Sequence, residues 1–309
     1  MATFGDTGDG SLWPLLVTKR TVPNGIFFYI CNMAKQKKVI LITGASSGIG
    51  YDAALILAGQ GHKVYGAARR VELMDRLRDK GVIPIKMDVT DDQSMADGIQ
   101  TIIDAEGRID VLVNNAGYGY MGAIENVTIA EAKRQLEVNV FGLARLTQLV
   151  LPHMRAQKSG RIINTSSVAG KAVIPFGGWY NVSKYSVEAL SDALRIEVKQ
   201  FGIKVILIEP GGIKTDWGII AADNLSASSK DTAYEDAGLR MARLLKYGYT
   251  SRLLSNPIRV AKAITRAVNS RCPKVRYRLG AGSGLIVFLH TVLPARCWDG
   301  TMRKVCRIK

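Results

Sequence analysis

The amino-acid sequence predicts an α/β chain folded as a single doubly wound parallel sheet with helices on both faces. Short apolar runs recur along the chain without polar alternation, as strands buried on both faces require. Between them lie amphipathic stretches long enough to cross the sheet and return, right-handed, to a parallel neighbour. Glycines gather where the first run gives way to a helix, which is where such sheets hold ligands at the carboxyl ends of their strands.

The predicted strands are KVILIT (38–43), KVYGAA (63–68), VIPIKM (82–87), DVLVNN (110–115), RIINTS (161–166) and KVILIE (204–209), with VRYRLG (275–280) as a last strand. Crossover helices are expected around 48–60, 91–105, 129–157 and 179–201. No internal repeat is visible, so one domain is expected over 33–309. Residues 1–32 differ: Gly and Pro interrupt their apolar stretches and no period is sustained. They are expected to be a loose extension or a misassigned start ahead of MAKQKKVILITG, which opens at Met33.

With 309 residues, 47% of them hydrophobic and 22% charged, the chain can bury a substantial core. The three histidines (His62, His153, His290) lie far apart and the four cysteines (Cys31, Cys272, Cys297, Cys306) form no CxxC pair, so no metal site is proposed. Few cysteines and no signal peptide point to a reducing cytoplasm with free thiols. The net charge is +16, and much of the excess stands near the C-terminus: Arg271, Lys274, Arg276, Arg278, Arg296, Arg303, Lys304, Arg307 and Lys309. Such an end attracts phosphates or an anionic membrane surface. No nucleic-acid motif accompanies it, so no specific nucleic acid is expected and a solvated basic segment over 281–309 is the plainer reading. Within it, LIVFL (285–289) is too short to span a bilayer. A helix packed over the core or a partner subunit is expected there, with an interfacial anchor as the alternative.

The first strand ends in TGASSGIG (43–50). Gly44, Gly48 and Gly50 permit a tight turn and close approach of a pyrophosphate to the helix N-terminus, with Ser46, Ser47 and Ile49 in the same loop. The spacing is not GxGxxG; the strand-to-helix context is what argues for a dinucleotide. The second strand ends in AARR, with no acid to accept hydrogen bonds from an adenosine ribose. A 2′-phosphate needs a cation, and guanidinium suits it. Arg69 is the first choice and Arg70 the second, so NADP(H) is preferred, with NAD(H) as the second option.

Further signals fall at the same edge of the sheet. NNAG (114–117), with Asn115, Ala116 and Gly117, turns the chain after the fourth strand. INTSSVAG (163–170) puts Ser166 and Ser167 after the fifth, and PGGIKT (210–215), with Pro210, Gly211, Ile213 and Thr215, follows the sixth. Asn139 lies inside a predicted helix, where an amide also serves as a plain polar spacer. In WYNVSKYSVEAL (179–190), Tyr180 and Lys184 stand four apart on one helix face. Alone, such a pair is more often an ordinary exposed patch than a proton-transfer device.

In this order, TGxxxGIG, NNAG, the helical Asn, Ser, YxxxK and PG, residues 38–280 resemble the short-chain dehydrogenase/reductase family, especially hydroxysteroid and retinol dehydrogenase-like members. The resemblance implies a Rossmann-like sheet of about seven strands, a homodimer or homotetramer, and hydride exchange with a carbonyl/alcohol pair. Tyr180 is then the general acid/base, and the ammonium of Lys184 is expected to favour its phenolate and to hold the nicotinamide ribose. Ser167 is expected to bind the carbonyl oxygen, Asn139 to hold a relay water, and Asp88 with Val89 to contact adenine. An alternative function is a cofactor-binding regulatory protein of the same fold without turnover. The segment 212–255 corresponds to the substrate lid. Tyr118, Tyr120, Met121, Phe176, Trp179 and Trp217 suggest a lipophilic pocket, and Lys171 or Lys214 an acidic substrate group instead.

Overall fold

Every predicted strand forms, with its ends within one residue of expectation. The computed structural model describes residues 37–306 apart from 216 and 251–253, together with 308. The expected extension, 1–32, lies outside the described residues. Strands β1 (Val39–Thr43), β2 (Lys63–Ala68), β3 (Val82–Lys86), β4 (Val111–Asn114), β5 (Gly160–Thr165), β6 (Ile203–Pro210) and β7 (Arg276–Leu279) make one parallel sheet. Their order is β3-β2-β1-β4-β5-β6-β7. Strand order reverses between β1 and β4, which opens a crevice at their carboxyl ends.

The helices are α1 (Gly48–Gly59), α2 (Asp75–Arg78), α3 (Asp92–Glu106), α4 (Ile129–Leu136), α5 (Gly142–Ala156), α6 (Gly178–Glu197), α7 (Trp217–Ser229), α8 (Glu235–Thr250), α9 (Pro257–Asn269), α10 (Ser283–Val292) and α11 (Ala295–Val305). Local chemistry sets several ends. The Asp91 carboxylate accepts from the Ser94 N–H at the start of α3, and Gly107 closes that helix in a left-handed conformation. Thr128 caps α4, and Asn256 followed by Pro257 opens α9.

Alternate residues of each strand feed opposite layers, as a pleated ribbon requires. Ile40 and Ile42 pack with Leu57 of α1 and Val260, Ile264 and Val268 of α9. Val39 and Leu41 pack on the other face with Ile99 and Ile102 of α3 and Leu146 and Val150 of α5. Complete burial of Ile40, Leu41 and Ile42 is worth about 1.5–3 kcal/mol each.

One expectation is corrected. The stretch 129–157 is not one α-helix: a π-helical turn, Glu137–Phe141, separates α4 from α5. The turn draws the Asn139 amide out to the loop after β4, as described below. LIVFL is helical within α10 but contributes only Val287 to the buried residues, while Leu285, Ile286 and Phe288 are exposed. Between β6 and α9, α7 and α8 form a helical pair with a small core of its own around Ala221, Leu225 and Met241, joined by Cys306 after α11.

Candidate functional site

The crevice floor is built where β1 and β4 part. Gly44 and Gly48 adopt φ values of 67° and 56°, conformations that L side chains rarely take. A Cβ on Gly50 would overlap the Gly44 carbonyl, so the first turn of α1 sits directly on the loop. Ser47 caps α1 without using its side chain, and the first turn carries no acid. Its N–H groups and positive dipole end are therefore available to an anion.

Thr43, the buried last residue of β1, ties this loop to β4. Its hydroxyl accepts from the N–H groups of Asn115 and Ala116, both at 3.0 Å. The Asn115 amide donates back to the Thr43 carbonyl at 3.1 Å. Below it, Asn114 donates to Asn164 and Asn164 to Ser191, a buried ladder joining β4, β5 and α6. Sequence reasoning missed Thr43, Asn164 and Ser191. The polar residues ending otherwise apolar strands were the available signal.

At the end of β2, Ala68 is buried while Arg69 and Arg70 are exposed and line the crevice. No hydrogen bond or ion pair holds either guanidinium among the described residues. One Asp88 carboxylate oxygen is taken by Thr90, through its N–H at 3.0 Å and its hydroxyl at 2.8 Å. Asp88 and Val89 also line the crevice.

Helix α6 carries Tyr180 and Lys184 on one face, both buried. The Lys184 ammonium donates to the Thr165 carbonyl at 2.9 Å and lies 5.8 Å from the centre of the Tyr180 ring. Burial pushes the Tyr180 phenol up to about 12, and the Ser167 hydroxyl beside it pulls the other way. Burial lowers the Lys184 ammonium to about 8, opposed by the Glu188 carboxylate. In the absence of a nucleotide, burial is the larger influence on this phenol. Ser167 begins the turn after β5; its hydroxyl accepts from the Ala169 N–H at 3.1 Å and donates to the Pro210 carbonyl at 3.3 Å.

Asn139 stands at the centre of the π-helical turn, a feature frequent at functional sites. Its amide donates to the Tyr118 carbonyl at 2.8 Å and the Ser183 hydroxyl at 3.0 Å, and accepts from the Tyr118 N–H at 3.0 Å. Both of its N–H groups are committed, so an acceptor position on Oδ1 is what it retains. A Cβ on Gly117 would lie 3.0 Å from Asn139 Oδ1 and 3.8 Å from Lys184 Nζ, which fixes how closely these groups gather.

The structure brings the sequence-predicted residues together around a crevice of about 1270 Å³. Gly44, Ser46, Ser47, Gly48, Ile49, Asn115, Ala116, Gly117, Ser167, Tyr180, Lys184, Pro210, Gly211, Ile213 and Thr215 line it with the β2 and β3 residues above. Gly50 and Asn139 stand behind the lining. Of the pocket candidates, Tyr118, Met121, Trp217 and Lys214 line it; Tyr120, Phe176 and Trp179 do not. Lys171 is corrected: its ammonium pairs with Glu188 at 2.9 Å, outside the lining. Sequence reasoning missed Ile174, Ile220, Met241, Leu245, Tyr249 and Ile286, which complete an apolar wall. Cys272, Cys297 and Cys306 are free thiols, and no helix among the described residues is long and apolar enough to cross a membrane.

A doubly wound parallel sheet with a glycine cradle and an open helix N-terminus at its switch point defines a dinucleotide-binding protein. The family model described as short chain dehydrogenase matches residues 38–223, and the chain belongs to the short-chain dehydrogenase/reductase family. It is 37% identical over 265 residues to a probable short-chain type dehydrogenase/reductase, VdlC, of Helicobacter pylori, covering 86% of this chain and 96% of that protein. It is 38% identical over 247 residues to a 3-ketodihydrosphingosine reductase of Bacteroides thetaiotaomicron, covering 79% and 88%. A short-chain dehydrogenase structure from Streptomyces avermitilis superposes with a TM-score of 0.74 at 32% identity, covering 89% of this chain and 99% of that one. A family structure from Burkholderia phymatum in complex with NAD gives a TM-score of 0.71 at 26% identity, covering 82% and 93%. A metagenomic one in complex with NADP gives 0.62 at 25%, covering 78% and 96%. The chain is an oxidoreductase of the CH–OH/carbonyl class with a nicotinamide-nucleotide site.

Proposed function

We propose that this protein is an NADP(H)-dependent oxidoreductase that interconverts a lipophilic carbonyl compound and its alcohol, with Tyr180 as general acid/base. The carrying observation is the convergence of the Tyr180 and Ser167 hydroxyls on a crevice that is a glycine cradle on one side and an apolar wall on the other. The glycine loop and the first turn of α1 would hold the pyrophosphate, and Arg69, with Arg70 second, the 2′-phosphate. The bound nicotinamide supplies or accepts the hydride.

The protein supplies positioning and the proton. Ser167 hydrogen-bonds the carbonyl oxygen and fixes it beside Tyr180. In the reductive direction the buried phenol, protonated at neutral pH, donates its proton as charge develops on that oxygen; in the oxidative direction its phenolate, which the Lys184 ammonium and an oxidised nicotinamide would favour, takes the alcohol's proton. Lys184, anchored on Thr165 at the edge of Gly117, holds the nicotinamide ribose and returns the proton to the phenol. Asn139 retains an acceptor for the water that links Lys184 to solvent. Asp88 keeps one carboxylate oxygen for the adenine.

Trp217, Met241, Leu245 and Tyr249 favour an apolar substrate, and one relative is named for a keto compound. Exposed Phe141, Val182 and Tyr185, on the π-helical turn and α6, support a homodimer or homotetramer. The few cysteines support residence in the cytoplasm. The test is oxidation of NADPH and NADH across ketones and aldehydes graded in chain length. Turnover of long-chain carbonyls with NADPH is expected; failure to bind either nucleotide would overturn the reading.

A further inference from the structure

We propose that α10 and α11 form a membrane-docking surface that seats the mouth of the crevice on anionic lipid. Leu285, Phe288, Leu289 and Val292 recur at helical spacing along one face of α10. That face is turned outward: Leu285 and Phe288 are each 61% exposed and Val292 is 54% exposed. The opposite side seats only Ser283 and Val287 in the protein. Single exposed apolar side chains are ordinary on a protein surface, but a full stripe along one helix marks a surface that meets something else. At ten residues α10 is far too short to span a bilayer, so it would lie in the interface.

Charge points to lipid as the partner. Residues 281–309 carry five Lys and Arg against the single acid Asp299. Three of the five, Arg296, Arg303 and Lys304, are exposed on α11, which begins three residues after α10 ends. An apolar stripe joined to cations matches the headgroup boundary of an anionic membrane. On this face the same cations disfavour docking against the like-charged face of a second copy.

The stripe also adjoins the entrance to the crevice. Ile286 of α10 and Ile220 of α7 both line the crevice, and both are exposed, at 41% and 54%. A lipophilic carbonyl dissolved in the bilayer would therefore enter past Ile286 and Ile220 without crossing bulk water. That delivery rests on the oxidoreductase reading; docking itself does not.

The test uses the full chain in flotation with vesicles of phosphatidylglycerol and phosphatidylcholine, and with phosphatidylcholine alone. The wild type is expected to float with the anionic vesicles and to be released by high salt. Phe288→Asp, at an exposed position that leaves folding unaffected, is expected to weaken flotation about tenfold or more. The double variant Arg303→Glu, Lys304→Glu is expected to do the same by an independent route. Wild-type protein that ignores anionic vesicles overturns the proposal. So does a wild-type dimer that Phe288→Asp splits, because the stripe is then a subunit interface. Turnover adds a second reading: Phe288→Asp should leave a short water-soluble ketone unaffected and slow a long-chain ketone presented in vesicles. If no form turns over the soluble ketone, the enzyme reading fails, and flotation still decides the docking.

Discussion

The indole of Trp217 lies against the phenol ring of Tyr180, with ring centroids 4.9 Å apart and the planes tilted by 46°. Tyr249 continues the cluster, 6.1 Å from Trp217, and Gly119 leaves the space into which the indole fits. Trp217 of α7 thus sets the room beside the Tyr180 hydroxyl. Trp217→Ala is expected to remove a half-buried indole from the wall beside Tyr180. KM for small ketones should rise about tenfold while bulkier ketones gain turnover. Steady-state kinetics across ketones of graded width measure it; a uniform change at every size would remove Trp217 from the specificity wall.

The unpaired guanidiniums at the end of β2 give a cofactor prediction. Hydrogen bonds to charged groups contribute about 1.5–3 kcal/mol, so Arg69→Ala should weaken NADPH binding about tenfold to a hundredfold. NADH has no 2′-phosphate and should lose little. Fluorescence titration of both nucleotides tests this, and equal losses would remove the reason for preferring NADP(H).

The titrating groups of α6 give a pH prediction. Burial holds the Tyr180 phenol up to about 12 and the Lys184 ammonium down to about 8. The Tyr180 phenol, the proposed proton donor, therefore stays protonated through neutral and mildly alkaline pH. Reductive kcat/KM should fall above about pH 8, as Lys184 loses its charge. Lys184→Met should lower the rate and flatten that limb. Stability runs the other way for this group. An unfolded lysine, at its ordinary 10.5, binds more protons than folded Lys184 between about 8 and 10.5, so the Lys184 contribution to stability rises with pH across that window.

Asn139 is a structural strut as well as a candidate relay. Removing its amide leaves the buried Ser183 hydroxyl and the half-buried Tyr118 N–H and carbonyl without these partners. Asn139→Ala is expected to cost about 2–4 kcal/mol in denaturant unfolding. An unchanged midpoint would show that water replaces the amide at no cost.

The strands were readable because parallel strands buried on both faces leave uninterrupted apolar runs, and each lies within one residue of the run that announced it. The site was readable wherever a motif follows directly from a strand end: the glycine loop, NNAG, Ser167 and the PG turn. Other features follow from tertiary packing, which periodicity does not encode. The π-helical turn at Asn139 leaves helical spacing nearly intact, so 129–157 read as one helix. Met241, Leu245, Tyr249 and Ile286 reach the crevice because α8 and α10 fold over it. The apolar face of α10 was plain in the sequence; that it turns outward was not, since periodicity marks a face without giving its direction. Lys171 stood beside Lys214 as an alternative contact for an acidic substrate because its ion-pair partner, Glu188, lies seventeen residues on in the next helix.

The most direct test of the central claim is Tyr180→Phe, with NADPH affinity and carbonyl turnover measured on the same preparation. Phenylalanine keeps the packing against Trp217 and removes only the hydroxyl proposed to donate the proton. Nucleotide affinity should stay within about a factor of two, while turnover falls on the order of a hundredfold to ten-thousandfold, the range typical of lost general acid catalysis. Turnover that survives unchanged would contradict the account, because the proton would then come from another group.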